Sequence, residues 1–315
     1  VRNHIRTVFC IDKSVVFQKY FGKMSSHLHG LVSFILTDMQ SRFRLFNQLT
    51  DTSMQARHLD RKRYFEDSAI TSSLFYLPYI RKFHPITSCS KILEIGCGEG
   101  GNLKPFANIG CQVFGVDMAQ IRIEQARQFF SEEKLKGNFE SGDFLEYPTP
   151  SEDDKFDIAI LHDVIEHVPD KIAFLSHIRK FLKEDGILFV AFPAWQMPFG
   201  GHQQICRNKT WSKVPYFHLL PNPLYRFILN RLAGEEEAMV SELISIKKTK
   251  CSIERFEKVV KATGLSVCNR QLWLINPHYQ QKFGLRPRKL CRGISYIPFF
   301  RNFCSTSCFY LLKLG

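Results

Sequence analysis

From residue 88 onward the chain alternates short apolar runs with stretches in which apolar residues recur every three or four positions. The runs predict strands over 91–95, 112–116, 138–141, 156–161, 186–191, 265–274 and 303–314. The longer periodicity predicts helices between them, notably over 120–132, 171–182 and 252–263. A regular succession of this kind is the pattern of an α/β fold, a mostly parallel sheet with helices on both faces. Upstream, Phe75, Tyr76, Tyr79, Ile80 and Phe83 recur at helical spacing before Pro85, so residues 64–84 read as an amphipathic helix, suited to plain core packing or to covering a cleft.

Two stretches break the rhythm. Residues 194–250 interleave Pro198, Pro215, Pro221 and Pro223 with aromatic residues, the composition of an ordered loop or cap. Residues 1–53 carry Phe, His, Ser and Gln without a clear period. The expected organisation is therefore an N-terminal extension at 1–53 outside the fold, with Met54 as the initiator of the folded part. A helical cap follows at 54–87, then a core at 88–193, an insert at 194–250, and a closing helix and strand pair at 251–315.

Composition narrows the picture. A chain of 315 residues with 44% hydrophobic content can bury a sizeable core. Its apolar runs are too short to span a bilayer, and the N-terminus lacks a secretory pattern, so a cytoplasmic protein is expected. Ten cysteines scattered from Cys10 to Cys308 read as reduced thiols, and no metal site is read from their spacing; Cys304 and Cys308 fall on the last predicted strand. The net charge of +13 is uneven: residues 241–315 hold 14 Lys and Arg against Glu242, Glu254 and Glu257. That basic region is either a solvated face or a surface for anionic partners, including a peripheral membrane contact.

The chemistry-bearing residues sit at strand ends. The buried run Ile92-Leu93-Glu94-Ile95 leads into Gly96-Cys97-Gly98-Glu99-Gly100-Gly101, a tight turn in which backbone can approach a ligand closely. Gly96, Gly98 and Gly101 also satisfy the dinucleotide spacing GxGxxG, so this turn alone leaves a NAD-dependent oxidoreductase open. Asp117, at the end of the second strand, can accept hydrogen bonds from ribose hydroxyls. Two later segments discriminate: Gly142-Asp143-Phe144 after the third strand, and the fourth strand running into Leu161-His162-Asp163-Val164-Ile165-Glu166-His167-Val168.

Those four segments, in that order and spacing, resemble the class I S-adenosylmethionine-dependent methyltransferases, in particular the branch that includes the ubiquinone and menaquinone methyltransferases and many small-molecule enzymes. The resemblance implies a Rossmann-like, seven-stranded, mostly parallel sheet with an antiparallel last strand, and S-adenosylmethionine as cofactor. It also implies that Gly96, Cys97, Gly98 and Gly100 pass beneath the cofactor and that Glu94 orients its amino-acid portion. Asp117 would hold the ribose, Met118 would pack on adenine, Asp143 with Phe144 beside it would meet the adenine amino group, and His162 would line the methionine end.

Methyl transfer from a sulfonium is an in-line displacement, so the protein's task is to align the acceptor and exclude water. A base is required only where the acceptor must lose a proton. Asp163, Glu166 and His167 share one face if a helix starts there, and His167 is one candidate. His202 is the other: it follows Gly200-Gly201 in a segment leaving the fifth strand, where Trp195, Met197 and Phe199 are expected to line a pocket and Gln203 to approach the acceptor. The expected function is methyl transfer to a small-molecule, lipid-like or glycan acceptor, with O-methylation favoured and no obligate protein partner. RNA methylation and non-catalytic S-adenosylmethionine binding are the alternatives, the former disfavoured because no RNA module accompanies the domain.

Overall fold

The computed structural model describes residues 60–315; the expected N-terminal extension and the start at Met54 lie outside the described residues. Eight strands, β1 (Lys91–Ile95), β2 (Gln112–Asp117), β3 (Asn138–Ser141), β4 (Phe156–His162), β5 (Leu182–Phe192), β6 (Leu265–Ile275), β7 (Arg288–Lys289) and β8 (Ser307–Leu314), form one sheet in the order β3-β2-β1-β4-β5-β8-β6-β7. Strands β1 to β5 pair in parallel, and β8 inserts antiparallel between β5 and β6. The antiparallel last strand agrees with expectation. The count of seven does not, because the two-residue β7 adds an antiparallel edge to β6.

Local sequence explains most helix boundaries. In α1 (Arg61–Thr71), Asp60 accepts a hydrogen bond from Arg63 N and so satisfies an N-terminal amide that the helix cannot. The next stretch continues as a π-helical turn, Ser72–Tyr76, and then α2 (Leu77–Arg81). Helices α3 (Lys104–Ile109) and α4 (Gln120–Glu132) follow β1 and β2; α4 buries Ile123, Ala126, Phe129 and Phe130 at the spacing of one helix face. Helix α5 (Lys171–Arg179) is capped by Asp170 on the amides of Ile172 and Ala173. It ends three residues before the predicted 182, because Leu182 already pairs with Phe156 at the start of β5.

The aromatic stretch before Pro85 packs into the core. Tyr76, Tyr79 and Ile80 are buried with Phe189 and Phe309 of the central strands, and Phe83 is exposed. The insert is more ordered than its prolines imply. It holds α6 (Asn222–Phe227), a π-helical segment (Ile228–Leu232) and α7 (Glu237–Thr249), which close over a small core of their own built on Phe217, Tyr225, Leu229, Val240 and Leu243. All nine cysteines among the described residues are free thiols, and none of the described helices is long and apolar enough to cross a membrane.

The C-terminal prediction needs one correction. Residues 303–304 belong to a short helix, Phe300–Cys304, and only Ser307 onward is strand, so Cys304 and Cys308 do not share an extended segment. A buried ion pair fixes that helix: Arg301, 7% exposed, donates to Glu254 at 3.0 Å and to Glu257 at 2.9 Å, both on α8 (Ile253–Ala262). Asn302 adds a bond to Glu254 at 2.6 Å. Without Arg301 each carboxylate loses a charged donor, though Glu257 keeps Arg270 at 2.7 Å and Glu254 keeps Asn302, so Arg301→Ala is expected to cost about 2 kcal/mol in urea unfolding. A loss under about 1 kcal/mol, the range of exposed pairs, would show that the cluster does not hold the closing strands.

Candidate functional site

The site lies at the C-terminal ends of β1, β2, β4 and β5, where open α/β sheets present their crevice. After β1 the amides of Gly96 and Cys97 both donate to Val116 O, at 2.7 and 3.0 Å. Gly98 N donates to Asp117 Oδ2 and Ala119 N to Asp117 Oδ1, each at 2.9 Å. One carboxylate thus ties the Gly-rich turn to the loop after β2. The turn needs glycine for two reasons: Gly96 and Gly98 have φ of +73° and +51°, and a Cβ on Gly96 would sit 2.3 Å from Val164 Cγ2. A Cβ on Gly98 would meet nothing within 4 Å, because the turn borders the cleft there.

Helix α1 closes over this turn, with Phe65 O so near Gly101 that a Cβ there would lie 2.5 Å away. The cleft between them has a volume of about 290 Å³. Its walls include Gly96, Cys97, Gly98, His162, His167 and His202 from the expected set. They also include Arg61, Tyr64, Glu99, Asn102, Arg122 and Asp163, which the strand-end motifs did not single out for the cofactor. The first two lie on a helix far upstream, and nothing in their spacing marks them.

Other expected residues take different places. Glu94 is fully buried behind the turn; its Oε1 accepts from Asn102 Nδ2 at 2.7 Å, and Oε2 has no partner. Burial pushes its carboxyl up to about 8, so it holds a proton near neutral pH. Glu99 pairs through Oε1 with Arg61, and its Oε2 is likewise buried without a partner. Gly100, at φ +79°, abuts Phe139 and Phe130 in the core. Asp143 caps the following turn by accepting from Leu145 N at 3.0 Å, whereas Phe144 is not beside a ligand surface: its ring is buried against His177 and Phe181. Met118 is 78% exposed.

At the far end, His167 and His202 meet edge to face with ring centroids 4.9 Å apart. His202 has φ +56°, an uncommon backbone for histidine, and Gly200 and Gly201 lie against Trp195 O and His218, so they serve close packing. Gln203 does not reach the cleft: its Nε2 donates to Pro198 O and Val214 O inside the insert. Trp195, Met197 and Phe199 are buried in packing and are not on the cleft wall. Burial, reinforced by His167, lowers the His202 imidazole from its ordinary value to about 4. So weak a base orients a hydroxyl proton more readily than it holds one.

Residues 86–233 match a family described as a methyltransferase domain. The ubiquinone biosynthesis O-methyltransferase of Bartonella quintana (strain Toulouse) is 34% identical over 122 residues, covering 37% of this chain and 49% of the relative. The protein of the same name from Histophilus somni (strain 2336) is 30% identical, covering 42% and 58%. The chain thus spans about half the length of the curated relatives it matches. Among solved structures, a putative sarcosine dimethylglycine methyltransferase from Galdieria sulphuraria shares the fold, with a TM-score of 0.52 and 17% identity over 78% of this chain and 85% of that one.

Two outcomes are expected from this geometry. Gly98→Ala costs roughly 1 kcal/mol of folding free energy through its left-handed backbone, yet should weaken S-adenosylmethionine binding at least about tenfold, because the backbone no longer approaches the ligand. Calorimetric titration beside urea unfolding checks this, and unchanged affinity would refute it. The second concerns His218, wholly buried with Nε2 2.8 Å from Trp195 O and lowered by burial to about 4. The unfolded chain protonates near the ordinary 6.5, so stability from this group is present above that pH and is lost as pH falls toward 4, by at most about 1.4 kcal/mol per unit. His218→Gln should flatten that slope of unfolding free energy against pH; an unaltered slope would exclude His218 as its source.

Proposed function

This chain carries a class I S-adenosylmethionine-dependent methyltransferase domain, and on that premise we propose that it transfers a methyl group to an oxygen of a small hydroxylated acceptor with apolar character. The observation that carries the reading is the His167–His202 pair at one end of a cleft whose other end is the Gly-rich turn. The curated relatives are named for an O-methylation, which supports oxygen as the acceptor atom.

The residues present fit the cofactor. Glu99 Oε2 and Asn102 Oδ1 are buried acceptors without partners around the turn, and Glu94 Oε2 joins them when its carboxyl gives up its proton, a set that a cationic amine would satisfy. Asp117 uses one lone pair of each oxygen on an amide and keeps others for ribose hydroxyls. Met118 offers an exposed apolar side chain to adenine, and Asp143 stands at the start of the next turn for the adenine amino group. His162, packed on Tyr76 with ring centroids 5.3 Å apart, forms the wall toward the methionine end. When bound, S-adenosylmethionine supplies an electrophilic methyl on a sulfonium.

The chain's own groups then position the acceptor. Its hydroxyl donates to a neutral imidazole of His167 or His202, both of which burial holds in that form, so the oxygen keeps a lone pair for the methyl. Helix α1 and the segment around His202 restrict water at the reacting end. Exposed Tyr296 and Phe299, beside the basic residues of 241–315, support contact with an anionic amphiphilic surface.

The test is S-adenosylhomocysteine release with a panel of hydroxylated aromatic and aliphatic acceptors against amine acceptors. Turnover with hydroxyl acceptors is expected. His202→Gln should lower kcat by about tenfold or more while leaving S-adenosylmethionine affinity unchanged. Turnover with amines alone, or kcat unaffected by the substitution, would sink this reading.

A further inference from the structure

We propose that Lys171 is a positioning residue for the transfer, setting the gap between His167 and His202 by pinning the loop after β4 to the last turn of the insert. The starting observation is where its charge lies. Lys171 is 2% exposed, although lysine is almost never fully buried unless it is paired. It is also the first residue of α5, where the positive end of the helix dipole disfavours a cation. Two hydrogen bonds outside its own helix offset both penalties. Nζ donates to Val168 O and to Thr249 O, each at 2.7 Å, the short distance of a charge-assisted bond.

Those two carbonyls belong to the two segments that carry the imidazoles. Val168 directly follows His167. Thr249 ends α7, whose final carbonyls find no partner within the helix, so the ammonium group sits at the negative end of that helix, where a cation is favoured. From there a bonded path leads to His202. Arg255 Nη1 donates to Thr249 O and Lys250 O, at 3.3 and 2.9 Å, and Cys251 O accepts from Trp195 N at 2.9 Å. Trp195 O lies 2.8 Å from His218 Nε2, and Gly200 and Gly201 pack on Trp195 O and the His218 side chain immediately before His202. A shift at Thr249 is thus passed on toward His202, while Val168 keeps His167 on the near side. The edge-to-face contact of the two rings, with centroids 4.9 Å apart, is the gap this strut spans.

The use of the strut rests on the O-methylation reading, in which a hydroxyl donates to one of these imidazoles; its geometry does not. Lys171 is not on the cleft wall, so it acts through the pair and touches no reacting atom. A misplacement of about an ångström at the reacting end is enough to lower a rate by about a hundredfold.

The test is a double-mutant cycle on the full chain with Lys171→Met and His202→Gln, read as kcat with a hydroxyl acceptor. Lys171→Met is expected to lower kcat at least about tenfold and to leave S-adenosylmethionine affinity by calorimetry unchanged. In the His202→Gln background the same substitution should lower kcat by less than about twofold, because the group it positions is gone. A lysine that only supports the fold would lower kcat by the same factor in both backgrounds. That result overturns the proposal and leaves the proposed function standing, as does an unchanged kcat in Lys171→Met. If Lys171→Met does not fold, Lys171→Gln, which keeps an amide donor, carries the same cycle. A second readout is independent of turnover: the nuclear Overhauser contact between the ring protons of His167 and His202 in histidine-labelled protein. It is expected in the native chain and lost in Lys171→Met, and its persistence in the variant overturns the proposal. Loss of the contact in a chain that methylates no hydroxyl supports the strut and refutes the proposed function.

Discussion

The site depends on the carboxylate of Asp117. It accepts the amides of Gly98 and Ala119, one on each oxygen, while Val116 O takes the two preceding amides of the Gly-rich turn. Each charge-assisted bond of this kind contributes about 1.5–3 kcal/mol. Its greater consequence is geometric. Two loops that leave neighbouring parallel strands are locked to one group, so the backbone at Gly98 is held open to the cleft before any ligand arrives. A site preorganised in this way spends little binding energy on ordering itself.

Around that clamp the protein concentrates buried acidic groups and withholds their partners. Glu94 and Glu99 stand behind and within the turn with an oxygen unsatisfied, and Glu166 repeats the pattern at the acceptor end with both oxygens bare. Burial raises Glu94 and Glu166 and lowers His167 and His202, so the cleft is closer to neutral than its composition suggests. Such a wall carries little net charge and is suited to orienting hydroxyls. The cost is offset by the packing outside it, including the aromatic cluster of Tyr76, Phe189 and Phe309 and the Arg301 ion-pair group that closes the sheet.

The insert shows how far the acceptor side departs from the core's regularity. Its prolines read as an ordered loop, yet Phe217, Tyr225, Leu229 and Leu243 gather into a separate small core. That core holds the segment around His202 in place, with Gly201 pressed against His218 and Gln203 bonded inward. The left-handed backbone of His202 is therefore imposed by packing on either side.

The amino-acid sequence by itself determined the parallel strands of the sheet, the helices that begin near 171 and 252, and the Gly-x-Gly-x-Gly turn with Asp117. These are local matters: periodicity selects an element, a short polar side chain caps it, and glycine is needed where φ is positive. Only the tertiary structure decided that α1 supplies Arg61 and Tyr64 to the cleft, that Phe144 and Gln203 turn away from it, and that Glu166, His167 and His202 converge. The physical reason is that burial and long-range packing set where a side chain points and which of its protonation states survives. Neither is encoded in the spacing of residues along the chain.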